Sequence, residues 1–136
     1  MSADARPVRV LIVDDDPGVL YFVGRVLERA GYVTVSATSG REALEAAARL
    51  GSVDLLVTDL RMPPMNGDEL ARQLRRTEPD LKVLYLTGCS DYFFTERGTP
   101  GPSEAFLEKP CDMQMILTAV TSILDTHPRR TGDHAS

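Results

Sequence analysis

The sequence predicts an α/β domain built around a parallel β-sheet. Short apolar runs rich in β-branched residues alternate with segments of helical period, which is the pattern of βαβ units. The first, third and fourth runs are nearly continuous in Val, Ile and Leu, as expected of strands covered on both faces. Five units fit a chain of 136 residues. The predicted strands are Val8 to Val13, Tyr32 to Ala37, Val53 to Thr58, Lys82 to Leu86 and Ala105 to Leu107.

The first and last helices have clear starts and a continuous apolar stripe. Asp16 is the predicted N-cap of the first helix, Pro17 its first residue and Gly31 its end. Asp112 is the predicted N-cap of the last helix. The stripes are Val19, Leu20, Val23, Val26, Leu27 and Ala30 in the first helix, and Met113, Ile116, Leu117, Val120, Ile123 and Leu124 in the last.

Two middle helices are predicted from residue pairs at the spacing of a capping box. Ser39 precedes Glu42 by three residues, and Asn66 precedes Glu69 by the same interval. In such a box the first side chain accepts a hydrogen bond from the main-chain N–H three residues later. The predicted helical spans are 40–50 and 67–77.

The connection between the fourth and fifth strands is irregular. Gly98, Pro100, Gly101 and Pro102 fall where a full helix would run, so any helix there is short and ends by Arg97. We expect the domain itself to span residues 8–126. The segments outside it are an N-terminal extension (1–7) and a disordered polar tail (127–136).

Composition and charge exclude several classes of function. A net charge of -5 gives no electrostatic footprint for a nucleic-acid backbone, so direct DNA binding is not expected. No apolar stretch approaches the roughly 20 residues that cross a bilayer, and no hydrophobic signal region precedes the first strand. We therefore expect a cytoplasmic protein. Cys89 and Cys111 fit no zinc or disulfide spacing and are expected to be free thiols.

Reactive polar residues follow four of the five predicted strands. Asp14 and Asp15 follow the first, Asp59 the third, Thr87 the fourth and Lys109 the fifth. Because the carboxyl ends of parallel strands share one edge of a sheet, these residues are expected to converge. Three carboxylates in one crevice repel each other, and a hard divalent cation with oxygen ligands keeps them ionised. Magnesium, which retains waters and phosphate oxygens, is the natural candidate.

This arrangement favours phosphoryl chemistry at one aspartate. Aspartate forms acyl phosphates in covalent catalysis, so Asp59 is the candidate nucleophile. The charge on a transferring phosphoryl group needs fixed donors, which the Thr87 hydroxyl and the Lys109 ammonium could supply beside the metal.

The strings VLIVDDDP, TDLRMPPMNG, LYLTG and FLEKP, in this order and spacing, resemble the receiver domain of two-component response regulators. The resemblance covers about residues 8–126. It implies a flavodoxin-like (βα)5 three-layer sandwich with strand order 2-1-3-4-5. It also implies a phosphohistidine donor on a sensor kinase or a histidine phosphotransfer protein. The Met1 start, the polar tail and the lack of room for an output domain favour a stand-alone receiver that controls an unknown downstream protein.

The resemblance also implies a role for each matching residue. Asp59 is the expected phosphoacceptor, and Lys109 the expected ion-pair partner of the phosphoryl group. Asp15 is the expected direct ligand of Mg²⁺ or Mn²⁺, with Asp14 acting largely through water. The main-chain carbonyl of Arg61 is expected to complete the protein's share of the metal shell.

Three further expectations concern the switch. Thr87 is similar to the switch hydroxyl of the family, and Phe106 to the aromatic residue that swings inward behind it. The signal would reach the face formed by the fourth helix, fifth strand and fifth helix. Pro110 implies a cis Lys109–Pro110 bond. Thr87 followed by Gly88 is similar to receivers associated with hybrid histidine kinases.

Other interpretations stay open at this point. Asp14 and Asp15 could belong to a helix-capping turn, which leaves their convergence with Asp59 unexplained. A haloacid-dehalogenase-type phosphatase also uses a strand-end Asp, but it needs a second Asp where this chain has Arg61, so a turnover enzyme is not expected. A relay intermediate that passes phosphate to another histidine protein, or a phosphorylation-independent scaffold, remains an alternative.

Overall fold

The structure, a computed structural model, describes residues 7–88 and 103–125. Its strands are β1 (Arg9–Val13), β2 (Val33–Ala37), β3 (Leu55–Thr58), β4 (Lys82–Thr87) and β5 (Glu104–Glu108). Its helices are α1 (Pro17–Arg29), α2 (Gly40–Leu50), α3 (Gly67–Leu74) and α4 (Met113–Asp125), the last being the predicted fifth helix. The strands are parallel and lie in the order β2-β1-β3-β4-β5.

The observed architecture confirms the predicted fold class and strand order. Every strand begins and ends within two residues of its predicted bounds. The predicted short helix before Arg97, the thiol of Cys89 and the polar tail lie outside the described residues. No helix in the described part of the chain has the length and hydropathy needed to cross a membrane.

Two apolar cores lie on opposite faces of the sheet. Because side chains alternate along a strand, Leu11 and Val13 pack on the face with α2 and α3. Val10 and Ile12 pack on the face with α1 and α4. All four side chains are at most 1% exposed, and burying one contributes about 1.5–3 kcal/mol. The result is the predicted three-layer sandwich, in which the sheet lies between two pairs of helices in the described part of the chain.

The predicted starts of all four described helices are confirmed, and the predicted caps bind at α1 and α4. Asp16 accepts a hydrogen bond from the Gly18 N–H, and Asp112 accepts one from the Met115 N–H, each through its carboxylate. Each bond satisfies a first-turn donor that has no partner inside the helix. Pro17 is the first residue of α1, as predicted.

The two capping boxes form only in part. Ser39 accepts from the Glu42 N–H at 3.1 Å, as predicted, but the Glu42 carboxylate binds Thr38 instead of closing the box. Asn66 occupies the N-cap position of α3, yet its side chain makes no capping bond. The Asn66 prediction is therefore wrong in its hydrogen bond, although right in where the helix begins.

Two further details differ from the prediction. Helix α3 ends at Leu74, three residues before the predicted end, because the N–H groups of Arg76 and Thr77 bond to carbonyls three residues back, which tightens the chain into a turn. Residues 75–77 form a turn instead. In this turn the Thr77 N–H donates to the Leu74 carbonyl. Met113, assigned to the apolar stripe of the last helix, is 55% exposed because it lies in the first turn, beyond the sheet.

Gly67 is the point where α3 approaches the end of β3. A Cβ atom at this position would overlap the main-chain oxygen of Asp59 and meet the Thr58 side chain at 3.0 Å. Its N–H donates to the Leu60 carbonyl at 2.9 Å, which closes the β3–α3 loop. The first residue of α3 therefore has to be glycine for the helix to lie this close to Asp59.

Gly67→Ala is expected to lower the free energy of unfolding by about 2 kcal/mol, because a rigid main-chain atom must move to admit the methyl group. The matched control is Gly24→Ala in α1, where a Cβ meets nothing within 4 Å. The control should raise stability by about 0.5–1 kcal/mol through helix propensity. Urea unfolding of both variants measures the difference, and equal stabilities would contradict the close approach.

Candidate functional site

The sheet places two aspartates beside each other at its carboxyl edge. Strands β1 and β3 are neighbours, and Val13 pairs with Thr58 at the last position of the ladder. Asp14 and Asp59 are the next residues along each strand. The Asp59 N–H donates to the Val13 carbonyl at 3.0 Å, so the register continues to the site. Main-chain pairing therefore fixes the spacing of the two carboxylates.

Asp14, Asp15 and Asp59 form one acidic cluster. One carboxylate oxygen from each lies within 4.8 Å of the other two. Their environments differ, because Asp14 is 2% exposed, Asp59 is half-buried and Asp15 is exposed to solvent. The predicted convergence is thus observed, with one carboxylate in the interior and one at the mouth of the site.

Lys109 joins the cluster from the end of β5. Its Nζ lies 2.9 Å from Asp14 Oδ2 and 3.3 Å from Asp59 Oδ2. One ammonium therefore offsets part of the charge of three carboxylates, and the site keeps a net negative charge. The Lys109–Pro110 bond is cis, as predicted. The Pro63–Pro64 bond is also cis, which the sequence did not predict.

The other oxygens of the Asp14 and Asp59 carboxylates accept main-chain hydrogen bonds. Asp14 Oδ1 accepts from the Asp16 N–H at 2.9 Å, and Asp59 Oδ1 accepts from the Arg61 N–H at 3.2 Å. Each carboxylate thus uses one oxygen for the lysine and the other for the loop that follows its own strand. These hydrogen bonds orient both carboxylates toward the Lys109 ammonium.

The pKa values of Asp14 and Lys109 are both raised, but for different reasons. Desolvation by burial raises the pKa of Asp14, against the hydrogen bonds from Lys109 and Asp16. Burial of the Lys109 ammonium lowers its pKa, but the hydrogen bond and charge of Asp14, together with Asp59, outweigh burial and raise the pKa overall. Lys109 therefore stays charged throughout the neutral range.

The donor set fits a small hard cation. Carboxylate oxygens are the ligands that Mg²⁺ and Mn²⁺ prefer, and one or two of them suffice when waters and phosphate oxygens fill the other positions. The cluster supplies three carboxylates, one of them open to solvent. Asp14, Asp15 and Asp59 could therefore hold such an ion beside Lys109.

The other predicted site residues are placed less completely. Thr87 ends β4 opposite Glu108, as expected, but its side chain lies outside the described part of the structure. Phe106 is half-buried, packs on the α2 and α3 side of the sheet and is the register partner of Tyr85. Its role as a switch stays a prediction. Arg61 follows Asp59 by two residues, and its main chain contacts the Asp59 carboxylate.

An apolar groove borders the site. Its volume is about 320 Å³, and it lies between α1, the end of β4 and the segment joining β5 to α4. Lys109 lines the groove together with Phe22, Pro110 and Cys111. A lysine in this place packs its aliphatic stem on apolar walls while its ammonium meets the carboxylates. The Cys111 thiol is free, as predicted, and burial raises its pKa.

Comparison with known proteins finds one family over most of the chain. The family model for the response regulator receiver domain matches residues 10–121. The sensor kinase CckA of Brucella abortus is 37% identical over 117 residues, which are 85% of this chain and 12% of that protein. Curated relatives are mostly longer, and the chain spans between 12% and 51% of the length of those compared.

Solved structures agree in fold. A response regulator receiver protein from Sinorhizobium medicae superposes with a TM-score of 0.76 at 29% identity, covering 88% of this chain and 95% of that one. The receiver domain from the hybrid histidine kinase CckA superposes with a TM-score of 0.70 at 31% identity, covering 85% and 98%.

Lys109→Met is expected to lower the free energy of unfolding by about 3 kcal/mol at pH 7, because it leaves the buried Asp14 carboxylate without its cation. Removing the lysine raises the pKa of Asp14 further, so the deficit should shrink as the pH falls and Asp14 becomes protonated. The control is Arg41→Met, which removes an exposed pair with Glu45. It should change stability by under about 0.5 kcal/mol. Urea unfolding across pH measures both, and a pH-independent deficit would contradict the assignment.

Proposed function

The chain belongs to the response regulator receiver domain family, and we propose that it accepts a phosphoryl group on Asp59 and alters a binding surface in response. The observation that carries this proposal is the acidic cluster of Asp14, Asp15 and Asp59 with the Lys109 ammonium inside it. A phosphoryl group on Asp59 would meet a cation on one side and metal-binding carboxylates on the other.

The chemical step is an in-line displacement. An oxygen of the Asp59 carboxylate attacks the phosphorus of a phosphohistidine, and the P–N bond breaks with its electron pair left on the imidazole nitrogen. The other ring nitrogen of the phosphohistidine carries a proton, so the products are an acyl phosphate at Asp59 and a neutral histidine on the donor. Lys109, already 3.3 Å from Asp59 Oδ2, is placed to pair with the new phosphoryl oxygens.

Four groups of the chain would hold a divalent ion. They are the carboxylates of Asp14, Asp15 and Asp59 and the main-chain carbonyl of Arg61. Bound Mg²⁺ or Mn²⁺ supplies positive charge against the phosphoryl oxygens. Asp14 differs from its neighbours because it is almost fully buried and makes the shorter ion pair with Lys109, 2.9 Å against 3.3 Å for Asp59, which supports a role through water or through the lysine.

The switch would connect the site to the surface of β5 and α4. Phosphorylation would change the charge that Lys109 faces. Thr87 is the last residue of β4 and Lys109 follows β5, the neighbouring strand. Phe106 lies on β5, two residues before the position that pairs with Thr87, and it is half-buried. A half-buried aromatic can exist in two packings of similar energy, and a phosphoryl group shifts the population by its differential affinity for them.

The partners follow from this chemistry. A histidine on a sensor kinase or a phosphotransfer protein supplies the phosphoryl group, and the similarity to a receiver from a hybrid histidine kinase supports such a donor. A cytoplasmic downstream protein, which the sequence does not identify, binds the altered face. The chain carries out one transfer per activation and does not turn over a free substrate.

With Mg²⁺ and a small acyl phosphate, the unaltered protein is expected to gain the mass of one phosphoryl group. Asp59→Asn should gain none, because the amide cannot attack phosphorus. Intact-protein mass spectrometry at short times measures both. The matched control is Asp80→Asn, an exposed carboxylate away from the cluster, which should be labelled like the unaltered protein. Labelling of Asp59→Asn would place the acceptor elsewhere and contradict the proposal.

Mg²⁺ affinity is expected to fall at least about tenfold in Asp15→Asn, because a neutral amide replaces a direct anionic ligand. Asp16→Asn should bind Mg²⁺ like the unaltered protein, since Asp16 only caps α1 and asparagine is an equally good cap. Isothermal titration calorimetry compares these adjacent variants. Equal affinities would remove Asp15 from the metal site.

A further inference from the structure

We propose that Asn66 is a positioning residue for the metal site. Its side chain holds the peptide group that carries the Arg61 carbonyl. This inference rests on the proposed function, in which that carbonyl is a metal ligand. Asn66 itself touches neither the carboxylates of the cluster nor a reacting atom in any described hydrogen bond. It acts through the loop between Asp59 and α3.

Asn66 uses its side chain on the loop instead of on its helix. Its Oδ1 accepts a hydrogen bond from the Met62 N–H at 2.9 Å, while no capping bond reaches α3. The first turn of α3 has another acceptor, because Asp68 Oδ1 binds the Glu69 N–H at 2.9 Å. Met62 is 3% exposed, so its N–H depends on a protein partner.

The Met62 N–H and the Arg61 carbonyl belong to one peptide group. The bond between these residues is not among the cis bonds of the described chain. In a planar trans peptide the N–H and the C=O point in opposite directions. A hydrogen bond that fixes the Met62 N–H therefore also fixes the direction of the Arg61 carbonyl.

The peptide on the other side of Arg61 is anchored as well. The Arg61 N–H donates to Asp59 Oδ1 at 3.2 Å, within the acidic cluster. Residue 61 is thus held on one flank by the phosphoacceptor and on the other by Asn66. Without Asn66, the second flank could rotate about its two soft dihedral angles, and the carbonyl would lose its fixed direction.

A change at Asn66 leaves the loop closed by a separate bond. The Gly67 N–H donates to the Leu60 carbonyl at 2.9 Å, and this main-chain contact does not involve the side chain at position 66. Substitution of Asn66 should therefore alter the 61–62 peptide while the ends of the loop stay together.

The test compares Asn66→Ser with Asn66→Asp. Serine is an N-cap as good as asparagine, so α3 still begins at the same place, but its shorter side chain cannot reach the Met62 N–H. Aspartate keeps an oxygen in the position of Oδ1. Calorimetric titration with Mg²⁺ alone should show about tenfold weaker binding for Asn66→Ser, the typical loss when a group that orients a ligand is removed. Asn66→Asp should bind at least as tightly as the unaltered protein.

A second measurement and a control separate positioning from general weakening of the fold. Hydrogen exchange at the Met62 amide should accelerate in Asn66→Ser and stay slow in Asn66→Asp. Ser39→Ala removes the capping bond at the start of α2, and it should lower stability without changing Mg²⁺ affinity. Weaker binding by Ser39→Ala as well would attribute the loss to stability and overturn the inference.

The outcomes also distinguish this inference from the proposed function. Mg²⁺ binding that is lost in Asp15→Asn but unchanged in Asn66→Ser would overturn the role of Asn66 and leave the phosphoacceptor site standing. Absence of Mg²⁺ binding in the unaltered protein would overturn the metal site, and the inference with it. If Asn66→Ser does not fold by circular dichroism, the exchange is measured in folded Asn66→Gly, because glycine is a nearly equal N-cap without a side-chain oxygen. Slow Met62 exchange in that variant would overturn the inference, and fast exchange would support it.

Discussion

The arrangement of this domain depends on a concentration of negative charge at one edge of its sheet. Three carboxylates within 4.8 Å repel one another, and the buried Asp14 is the costliest because desolvation raises its pKa. Lys109 offsets that cost through a 2.9 Å ion pair that links β1 to the end of β5. The strand order places β3 and β4 between these two, so the pair spans the sheet edge and holds the site together.

The same ion pair explains how the site can respond to a ligand. Lys109 already contacts Asp59, so an added phosphoryl group or metal ion changes the balance of charges that it faces. Lys109 follows β5 directly, and β5 carries Phe106 on the side of the sheet that packs with α3. A local change of charge at the site can therefore act on a half-buried side chain through one short strand.

The loop from Asp59 to α3 has a different role, because its contacts fix the position of its main chain. Gly67 allows α3 to begin against the Asp59 carbonyl, and its N–H closes the loop on Leu60. Asn66 then binds the Met62 N–H within that closed loop. The proposed metal site would need its ligands at fixed distances, and the hydrogen bonds on both sides of residue 61 restrict the movement of the main chain there.

The sequence by itself determined the elements of the fold and the residues of the acidic site, because apolar periodicity and strand-end positions are local patterns. Asp14, Asp15, Asp59 and Lys109 converge as those patterns predict, although their chemical roles stay predictions. Only the tertiary structure decided which donor Asn66 would bind. Its side chain can reach either the first turn of α3 or the loop before it, and packing of the loop brought the Met62 N–H within reach while Asp68 served the helix. Competition between nearby partners depends on distances that exist only after folding.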